Sequence, residues 1–211
     1  MLDGADAIDW EDMSAAPGSQ GSPGDLIVGD IGDNERARAS VQLYRLTEPR
    51  PDDLGTQVAV RRFDVRFPEG PQDAEALFVD SVDGAVYLVS KHRERPARLY
   101  RVMLPSKPAG TLVAELVGTV PISFVTAADM SRDGSRLVIR SYNSAQLWKR
   151  AKGSSIAETV KGPPCPVMLP KEPQGEAIAF ANPKTLVLLS EGSGQPVHVL
   201  TERAGAHSVQ P

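Results

Sequence analysis

Short apolar segments bounded by turn residues recur along the whole chain and predict its architecture. They are roughly four to seven residues long and rich in β-branched and aromatic side chains, which pack well on a pleated sheet. Asp83-Gly84 and Asp133-Gly134 separate successive segments, and Asn182-Pro183 fills the same place later in the chain. Asp-Gly favours the tight turns of hairpins. Because no segment shows a convincing apolar spacing of 3.6 residues, the pattern favours antiparallel strands over helices.

Three sequence markers return four times in the same order. The first is an acidic start, the second an apolar run that ends at a polar residue, and the third a short step around an aromatic or histidine side chain. The starts are 11–13, 75–77, 128–130 and 176–178; the runs are 27–30, 88–91, 139–142 and 188–191; the steps are 43–45, 99–101, 147–149 and 197–199. Repetition about every 50 residues is typical of propellers and other repeat folds.

Four antiparallel strands in each repeat describe the blade of a β-propeller. Residues 57–63 and 112–117 supply a candidate fourth strand to the first and second repeats. We expect one all-β domain over residues 1–211, with four blades over roughly 9–63, 73–118, 126–161 and 174–201. A β-sandwich in which the spacing is coincidental is the alternative fold.

The two ends of the chain predict an incomplete ring. A propeller protects its sheet edges by closing, often with an N-terminal strand that completes the last blade. Residues 1–8 are short and acidic and residues 201–211 are polar, so neither segment resembles a closing strand. We expect an arc of four blades, with the rest of the ring missing from the chain or supplied by a partner.

Composition narrows the classes of function. Of the 211 residues, 41% are hydrophobic and 24% are charged, and the formal net charge is −4. No apolar run of the length that a membrane span needs is present, and no basic excess predicts nucleic-acid binding. Cys165 is the single cysteine, so no internal disulfide forms. The first six residues do not resemble a signal peptide.

Adjacent antiparallel strands alternate in direction, so the acidic starts and the ends of the apolar runs should share one face. Carboxylates gathered near an axis must be solvated, protonated, paired or bound to a cation. Oxygen ligands without His or Cys neighbours suit Ca²⁺ or Mg²⁺, which makes Ca²⁺ the candidate cofactor. The candidate metal ligands are Glu11, Asp12, Glu75, Asp129 and Glu176, and the other candidate binding residues are Trp10, Asp30, Asp33, Asn34, Lys91, Tyr142 and Glu191.

The same residues also have a purely structural interpretation. Carboxylates at strand starts can accept backbone N–H groups of the neighbouring blade, or pair with basic side chains of the same rim, namely Arg36, Arg38, Lys91, Arg93 and Arg140. Trp10 and Trp148 can wedge between blades instead of stacking on a ligand. The scattered His92, His198 and His207 are predicted to have surface or packing roles, and Cys165 to lie in a loop.

Several motifs resemble those of a group of uncharacterised, mostly secreted bacterial β-propeller proteins. The motifs are Asp9-Trp10-Glu11-Asp12, Gly29-Asp30-Ile31-Gly32-Asp33-Asn34, Tyr44-Arg45-Leu46-Thr47-Glu48-Pro49, Gly175-Glu176-Ala177-Ile178 and Ser190-Glu191-Gly192. The resemblance implies a propeller fold and an extracytoplasmic location. Those proteins usually have a signal peptide and at least one further blade before the first motif, and this sequence departs from them there.

A thinner similarity links the chain to β-propeller phytases and esterase-like proteins. It rests on Gln174-Gly175-Glu176 and on Ser190-Glu191. This similarity implies only that Glu75, Glu176 and Glu191 are metal ligands.

Three functions follow from these observations. The first is a non-catalytic propeller module whose acidic face binds a small molecule, a cation or a protein. The second is a calcium-dependent hydrolase of phosphoesters or lactones, with a metal held by Glu11, Glu75, Asp129 and Glu176 and a metal-bound water as nucleophile. The third is a structural scaffold whose exposed blade edge pairs with another chain. No nucleophile elbow, Walker loop, dinucleotide fingerprint or zinc spacing indicates another chemistry.

Overall fold

A computed structural model describes residues 2–16, 24–50, 52 and 57–202. Its elements in chain order are β1 (Leu2–Asp3), β2 (Trp10–Ala16), β3 (Asp25–Asp30), β4 (Val41–Thr47), β5 (Val58–Ala59), β6 (Arg61–Arg66), β7 (Ala74–Val79), β8 (Val86–Ser90), β9 (Ala97–Val102), β10 (Leu112–Val113), β11 (Glu115–Val120), β12 (Val125–Met130), β13 (Arg136–Ser141), β14 (Ala145–Lys149), α1 (Ile156–Thr159), β15 (Cys165–Val167), β16 (Gly175–Asn182), β17 (Thr185–Ser190) and β18 (His198–Thr201).

These strands form the four blades of a β-propeller, so the predicted fold class is confirmed. The first blade has the strand order β10-β6-β4-β3-β2, the second β11-β9-β8-β7, the third β12-β13-β14-β15, and the fourth β16-β17-β18. All pairings within them are antiparallel except that of the short β10, which runs parallel to β6. Three blades thus have the expected four strands of their own, and the fourth has three in the described part of the chain.

The outer strands differ from the sequence prediction. The fourth strand of the first blade is β6, because Val58 pairs with Leu2 in a separate two-stranded sheet instead of starting the blade strand. The segment 112–117 divides between two blades: β10 joins the first and β11 completes the second. Cys165, predicted in a loop, begins the outer strand of the third blade, where an edge position tolerates the neighbouring prolines.

Neighbouring blades are held together by apolar clusters between their sheets. Leu43 and Phe63 of the first blade pack on Leu77 and Leu88 of the second. Trp148 is fully buried between the second and third blades, as the wedge interpretation predicted. A smaller cluster around Val138, Ile178 and Leu188 joins the third blade to the fourth. Burial of this apolar surface is the main favourable contribution to the fold.

The outer faces of the two terminal blades differ. Val28, Tyr44 and Leu46 of the first blade are buried beneath Leu2, Ala5, Val58 and Val60. On the fourth blade, by contrast, Leu189 is 40% and Val199 62% exposed. The inner strands β2, β7, β12 and β16 pack in that order, and β16 has no comparable contact with β2 in the described ranges. Packing around the axis is therefore weakest where the sequence predicts an open ring.

Among the described residues, no helix has the length and apolar character needed to cross a membrane.

Candidate functional site

The face at which the inner strands β2, β7, β12 and β16 begin carries the largest group of predicted site residues, and we call it the upper face. The loops that follow β3 and β8 and the residues before β12 surround a cavity of about 660 Å³ on this face. It is lined by Asn34, Glu35, Arg36, Asp73, Lys91, His92, Arg93, Glu94, Arg95, Phe124 and Tyr142. We call it the upper cavity.

Asp33 shapes the first loop of the upper cavity. Its carboxylate accepts hydrogen bonds from the backbone N–H groups of Ala37 and Arg38, each at 2.9 Å. Inside that turn Arg36 has a φ of 52°, in the left-handed region that a non-glycine residue enters only at a cost. Its N–H donates to the Asp33 carbonyl at 2.8 Å. Asp33, predicted to bind a ligand, thus fixes the backbone that presents Arg36.

Asp30, the last residue of β3, stabilises the same loop through its contact with Arg38. The buried carboxylate pairs with Arg38 at 2.8 Å and accepts the backbone N–H groups of Ile8 and Asp9, each at 3.0 Å. Arg38 also donates to the carbonyl oxygens of Gly32 and Asp30. The predicted alternative of a salt bridge on the rim is what the structure contains here, and Asp30 joins the N-terminal segment to the first blade.

His92 is a buried polar side chain in the lining of the upper cavity. It is 6% exposed, and an Arg36 Nη2 donates to its Nδ1 at 3.1 Å. Because a guanidinium only donates, Nδ1 must accept and the proton lies on Nε2. Burial, together with the nearby charges of Arg36, Arg98 and Arg95, lowers the pKa of His92. The ring is therefore neutral at pH 7, and its buried Nε2–H has no hydrogen-bond partner among the described residues.

Phe124 and Tyr142 form an aromatic wall beside this histidine. Their ring centroids lie 6.5 Å apart at an interplanar angle of 48°. Phe124 has a φ of 53°, and its N–H donates to the His92 carbonyl at 2.8 Å. The Tyr142 hydroxyl accepts a hydrogen bond from Lys91 Nζ at 2.9 Å. Two strained non-glycine backbones therefore line one cavity, which is where such strain tends to accumulate in proteins.

Lys91 connects the upper cavity to a group of carboxylates on the same face, Asp9, Glu11 and Glu75, which we call the acidic centre. Its ammonium lies 2.8 Å from a Glu75 carboxylate oxygen, and both groups are largely buried. Burial alone would lower the pKa of Lys91, but the hydrogen bonds with Glu75 and Tyr142 outweigh it and raise the pKa. Burial raises the pKa of Glu75, although Lys91 opposes the change. Glu75, a predicted metal ligand, is thus the partner of a lysine.

Glu11 is a carboxylate of the acidic centre that forms no ion pair with any described residue, although the charge of Lys91 acts on it. Burial, with the charges of Glu75 and Asp9, raises its pKa to about 9. It shares the space above Gly32 with Asp9: a Cβ on that glycine would overlap both carboxylates. No group of three His, Cys, Asp or Glu side chains in the described ranges is arranged to hold a metal ion. The proposed metal role of these residues stays a prediction.

Asp12 and Asp129 connect the blades. Asp12 Oδ2 accepts the backbone N–H of Leu77 at 2.9 Å and that of Ala128 at 3.2 Å. Asp129 Oδ2 accepts the Phe180 N–H at 2.7 Å. Burial raises the pKa of Asp12 to about 7 and that of Asp129 to about 6, although the backbone hydrogen bonds favour the ionised forms. Both contacts match the structural interpretation, in which a carboxylate accepts hydrogen bonds from unpaired backbone N–H groups on the inner strand of a neighbouring blade.

The remaining predicted residues lie apart from the upper cavity. Glu176 accepts from Gln174 at 2.8 Å, and Gln174 also donates to Glu191 on the exposed start of the fourth blade. Trp10 does not wedge between blades: it is partly exposed, lies 6.1 Å from the Tyr44 ring, and donates to the Asp6 carbonyl. The contacts that hold Trp10 lie at the first blade.

The structure brings together Asn34, Lys91 and Tyr142 of the predicted binding residues. It adds His92, Phe124 and Arg95, which sequence reasoning did not select, and places Arg36 and Arg93 there as wall residues. His207 lies outside the described residues. The dense run of charges from Lys91 to Arg95 was the available sequence indication, because such a run in a loop after a buried strand marks an exposed polar surface.

No protein-family model matches the chain, and no curated protein sequence matches it. Solved structures that share its general shape include the Dos1 propeller, at 11% identity and a TM-score of 0.45 over 85% of this chain and 41% of that one. Another is the PQQ-bound aldose sugar dehydrogenase of Streptomyces coelicolor, at 12% identity and a TM-score of 0.48 over 85% of this chain and 61% of that one. A protein from Lactobacillus plantarum aligns at 12% identity and a TM-score of 0.43, over 86% of this chain and 54% of that one.

The chain thus spans between 41% and 61% of the length of these three structures. Identities this low do not indicate a shared activity. The strands and blades described above show by themselves that the chain is a β-propeller.

Proposed function

We propose that this protein is a non-catalytic β-propeller binding module whose small-molecule ligand occupies the upper cavity. One observation carries the proposal: the wall of a preformed cavity contains a buried histidine Nε2–H that no described residue satisfies. A buried donor without an acceptor costs about 1–3 kcal/mol, and a ligand oxygen that reaches Nε2 through a small shift of the cavity wall would remove that cost. The loop after β3 is already fixed by Asp33, Arg38 and Asp30, so this part of the cavity requires little ordering on binding.

The test is a thermal-shift screen of small metabolites, followed by calorimetry. Asn34 lines the upper cavity and is exposed, so Asn34→Trp should fill the cavity without disturbing buried contacts. Asn182 is an exposed asparagine on the opposite face, away from the upper cavity, and Asn182→Trp is the matched control. We expect compounds that stabilise the parent protein and the control but not Asn34→Trp. Compounds that bind all three proteins equally would contradict the proposed location.

Calcium binding at the acidic centre is the second candidate. It is favoured by Glu11, whose raised pKa reflects burial beside two other carboxylates and which a divalent cation would relieve. Calorimetry with Ca²⁺ near neutral pH should then show binding that Glu11→Gln and Glu75→Gln abolish. Absence of heat at millimolar Ca²⁺ would exclude this candidate, and with it the calcium-dependent hydrolase, which needs the same ion.

A further inference from the structure

We propose that the ligand of the upper cavity is a small organic anion, held through its phosphate or carboxylate group by Arg36, His92 and Arg95, with a planar ring on Phe124 and Tyr142. This inference rests on the proposed function, because it names the chemical class that the same cavity would bind.

The donor geometry identifies an acceptor-bearing ligand. The Arg36 guanidinium uses one Nη2–H on His92 Nδ1, which fixes the tautomer and leaves the other histidine donor unsatisfied. An ammonium group, which only donates, cannot complete this site, whereas a carboxylate or phosphate oxygen can, and its negative charge suits the neighbouring arginines better than a neutral hydroxyl does. The Arg36 guanidinium has further N–H groups in the same plane, which can donate to an oxyanion in the cavity.

The distribution of charge favours an anion at this wall. Arg93 and Arg95 are exposed and form no hydrogen bond or ion pair with any described residue. Three carboxylates also line the upper cavity, but the charges that act most strongly on His92 are those of Arg36, Arg98 and Arg95, each ahead of that of Asp73. Lys91 contributes little net charge, because Glu75 pairs with it. The potential around His92 is therefore positive although the cavity as a whole contains both signs.

The second wall suits a flat apolar group. Phe124 is 39% exposed, so its side chain contributes little to the apolar core. Its backbone nevertheless has a φ of 53°, a strained angle for a bulky residue. Tyr142 tilts toward it at 6.5 Å and is fixed by Lys91. An aromatic ring stacking on such a pair gains affinity beyond its buried area. Phosphate or carboxylate on an aromatic or heteroaromatic ring would use both walls.

The experiment compares four probes that share a ring but differ in charge with one anion that has no ring. Calorimetry near pH 7 is run with phenyl phosphate, benzoate, benzyl alcohol, benzyltrimethylammonium and inorganic phosphate. We expect one of the two aromatic anions to bind at least about tenfold more tightly than benzyl alcohol, since a charge-assisted hydrogen bond contributes on that order. Inorganic phosphate should bind more weakly than phenyl phosphate. The preference between phenyl phosphate and benzoate identifies the oxyanion.

Two substitutions separate the tasks of the two walls. Arg95→Gln should weaken the aromatic anion about tenfold, while Arg132→Gln, an exposed arginine on the opposite face with the same loss of charge, should not. Phe124→Gly removes the ring at a backbone angle that glycine adopts freely, so the fold should persist. It should abolish the preference for phenyl phosphate over inorganic phosphate and leave the affinity for inorganic phosphate unchanged.

The possible failures are distinguishable. If the neutral alcohol or the ammonium probe binds as tightly as the anions, and Asn34→Trp blocks it, the cavity binds ligands but the inferred charge class is wrong. If Arg95→Gln and Arg132→Gln have equal effects, the anion does not bind at this wall. If neither the probes nor the metabolite screen yields a compound whose binding Asn34→Trp blocks, the proposed function itself fails.

Discussion

Glu11 makes stability depend on pH in a defined direction. In the unfolded chain its carboxyl ionises near pH 4.5, whereas in the folded protein its pKa is about 9. Between these values the folded state retains a proton that the unfolded state has lost, so the free energy of unfolding falls as pH rises. The stabilisation from the retained proton is complete below about pH 4.5 and is lost through about pH 9.

Glu11→Gln should therefore raise the melting temperature at about pH 8 and leave it nearly unchanged at about pH 4. Because the carboxyl is partly solvated, we expect a gain on the order of 1–2 kcal/mol, well below the full value of the pKa change. Thermal denaturation across this pH range measures it, with the exposed Glu94→Gln as control. Parallel pH profiles for Glu11→Gln and the parent protein would show that the carboxyl is ordinary.

Asp12 is expected to contribute to stability as a connector of blades. Asp12→Ala leaves the inner-edge N–H groups of Leu77 and Ala128 without their acceptor, which should cost about 2–3 kcal/mol. Asp12→Asn retains one carbonyl oxygen of the same reach and should cost clearly less. Urea denaturation near pH 7 measures both. Equal losses for the two variants would mean that the hydrogen bonds contribute little and that shape alone matters.

At the level of residues, the sequence predicted which positions meet but not what they do. The repeat placed Asp12 and Asp129 at equivalent positions of different blades, and both accept backbone N–H groups across a blade boundary. Whether such a carboxylate binds a cation or an amide depends on which neighbouring edge is left free, which is a property of the assembled fold. The left-handed backbone of Phe124 gives no sequence indication at all, because bulky residues rarely adopt it.

The first residue of β16, Gly175, packs directly on the guanidinium of Arg140. The junction of the third and fourth blades should therefore not tolerate a larger side chain at this position. Arg140 is fully buried, pairs with Glu172 at 2.9 Å and donates to the Ala177 carbonyl at 2.8 Å. A Cβ on Gly175 would overlap its guanidinium, which these bonds prevent from moving aside. Gly175→Ala should thus cost about 2 kcal/mol or more in chemical denaturation.

Gly118→Ala is the matched control for that substitution. Gly118 also lies in a strand, its φ is not positive, and a Cβ there would meet no atom within 4 Å among the described residues. Gly118→Ala should change the free energy of unfolding by less than about 1 kcal/mol in either direction, since alanine restricts the unfolded chain and so offsets small losses in the fold. A similar cost at both positions would show that overlap with Arg140 is not the cause.

At the level of elements, turn residues and apolar runs predicted where the strands lie better than which strands pair with one another. Asp83-Gly84 and Asp133-Gly134 occupy turns with glycine at positive φ, as hairpin chemistry predicts. The helix α1 was missed although Ser155 and Glu158 form a capping box, because a single turn has no measurable apolar period. The assignment of residues 57–60 and 112–113 failed for another reason: which sheet a short apolar segment joins is decided by surfaces that exist only after folding.

At the level of the molecule, the repeat predicted four blades and the structure shows how unevenly they are supported. The second and third blades have apolar clusters on both faces, and the first blade has its outer face covered by the N-terminal segment and residues 58–60. The fourth blade has one such cluster, on the side of the third. In an array of repeats that contact mainly their neighbours, local stability follows the number of packed faces.

Hydrogen exchange should therefore be graded along the chain. The central strands β8, β13 and β17 are each paired on both edges, so differences in exchange between them report face packing instead of missing hydrogen bonds. We expect the amides of β17 to exchange at least about tenfold faster than those of β8 and β13, because opening the fourth blade breaks one interface where opening the others breaks two. Exchange followed by mass spectrometry resolves the three strands. If β17 exchanges as slowly as β8, the propeller unfolds as one cooperative unit and the exposed face of the fourth blade does not weaken it.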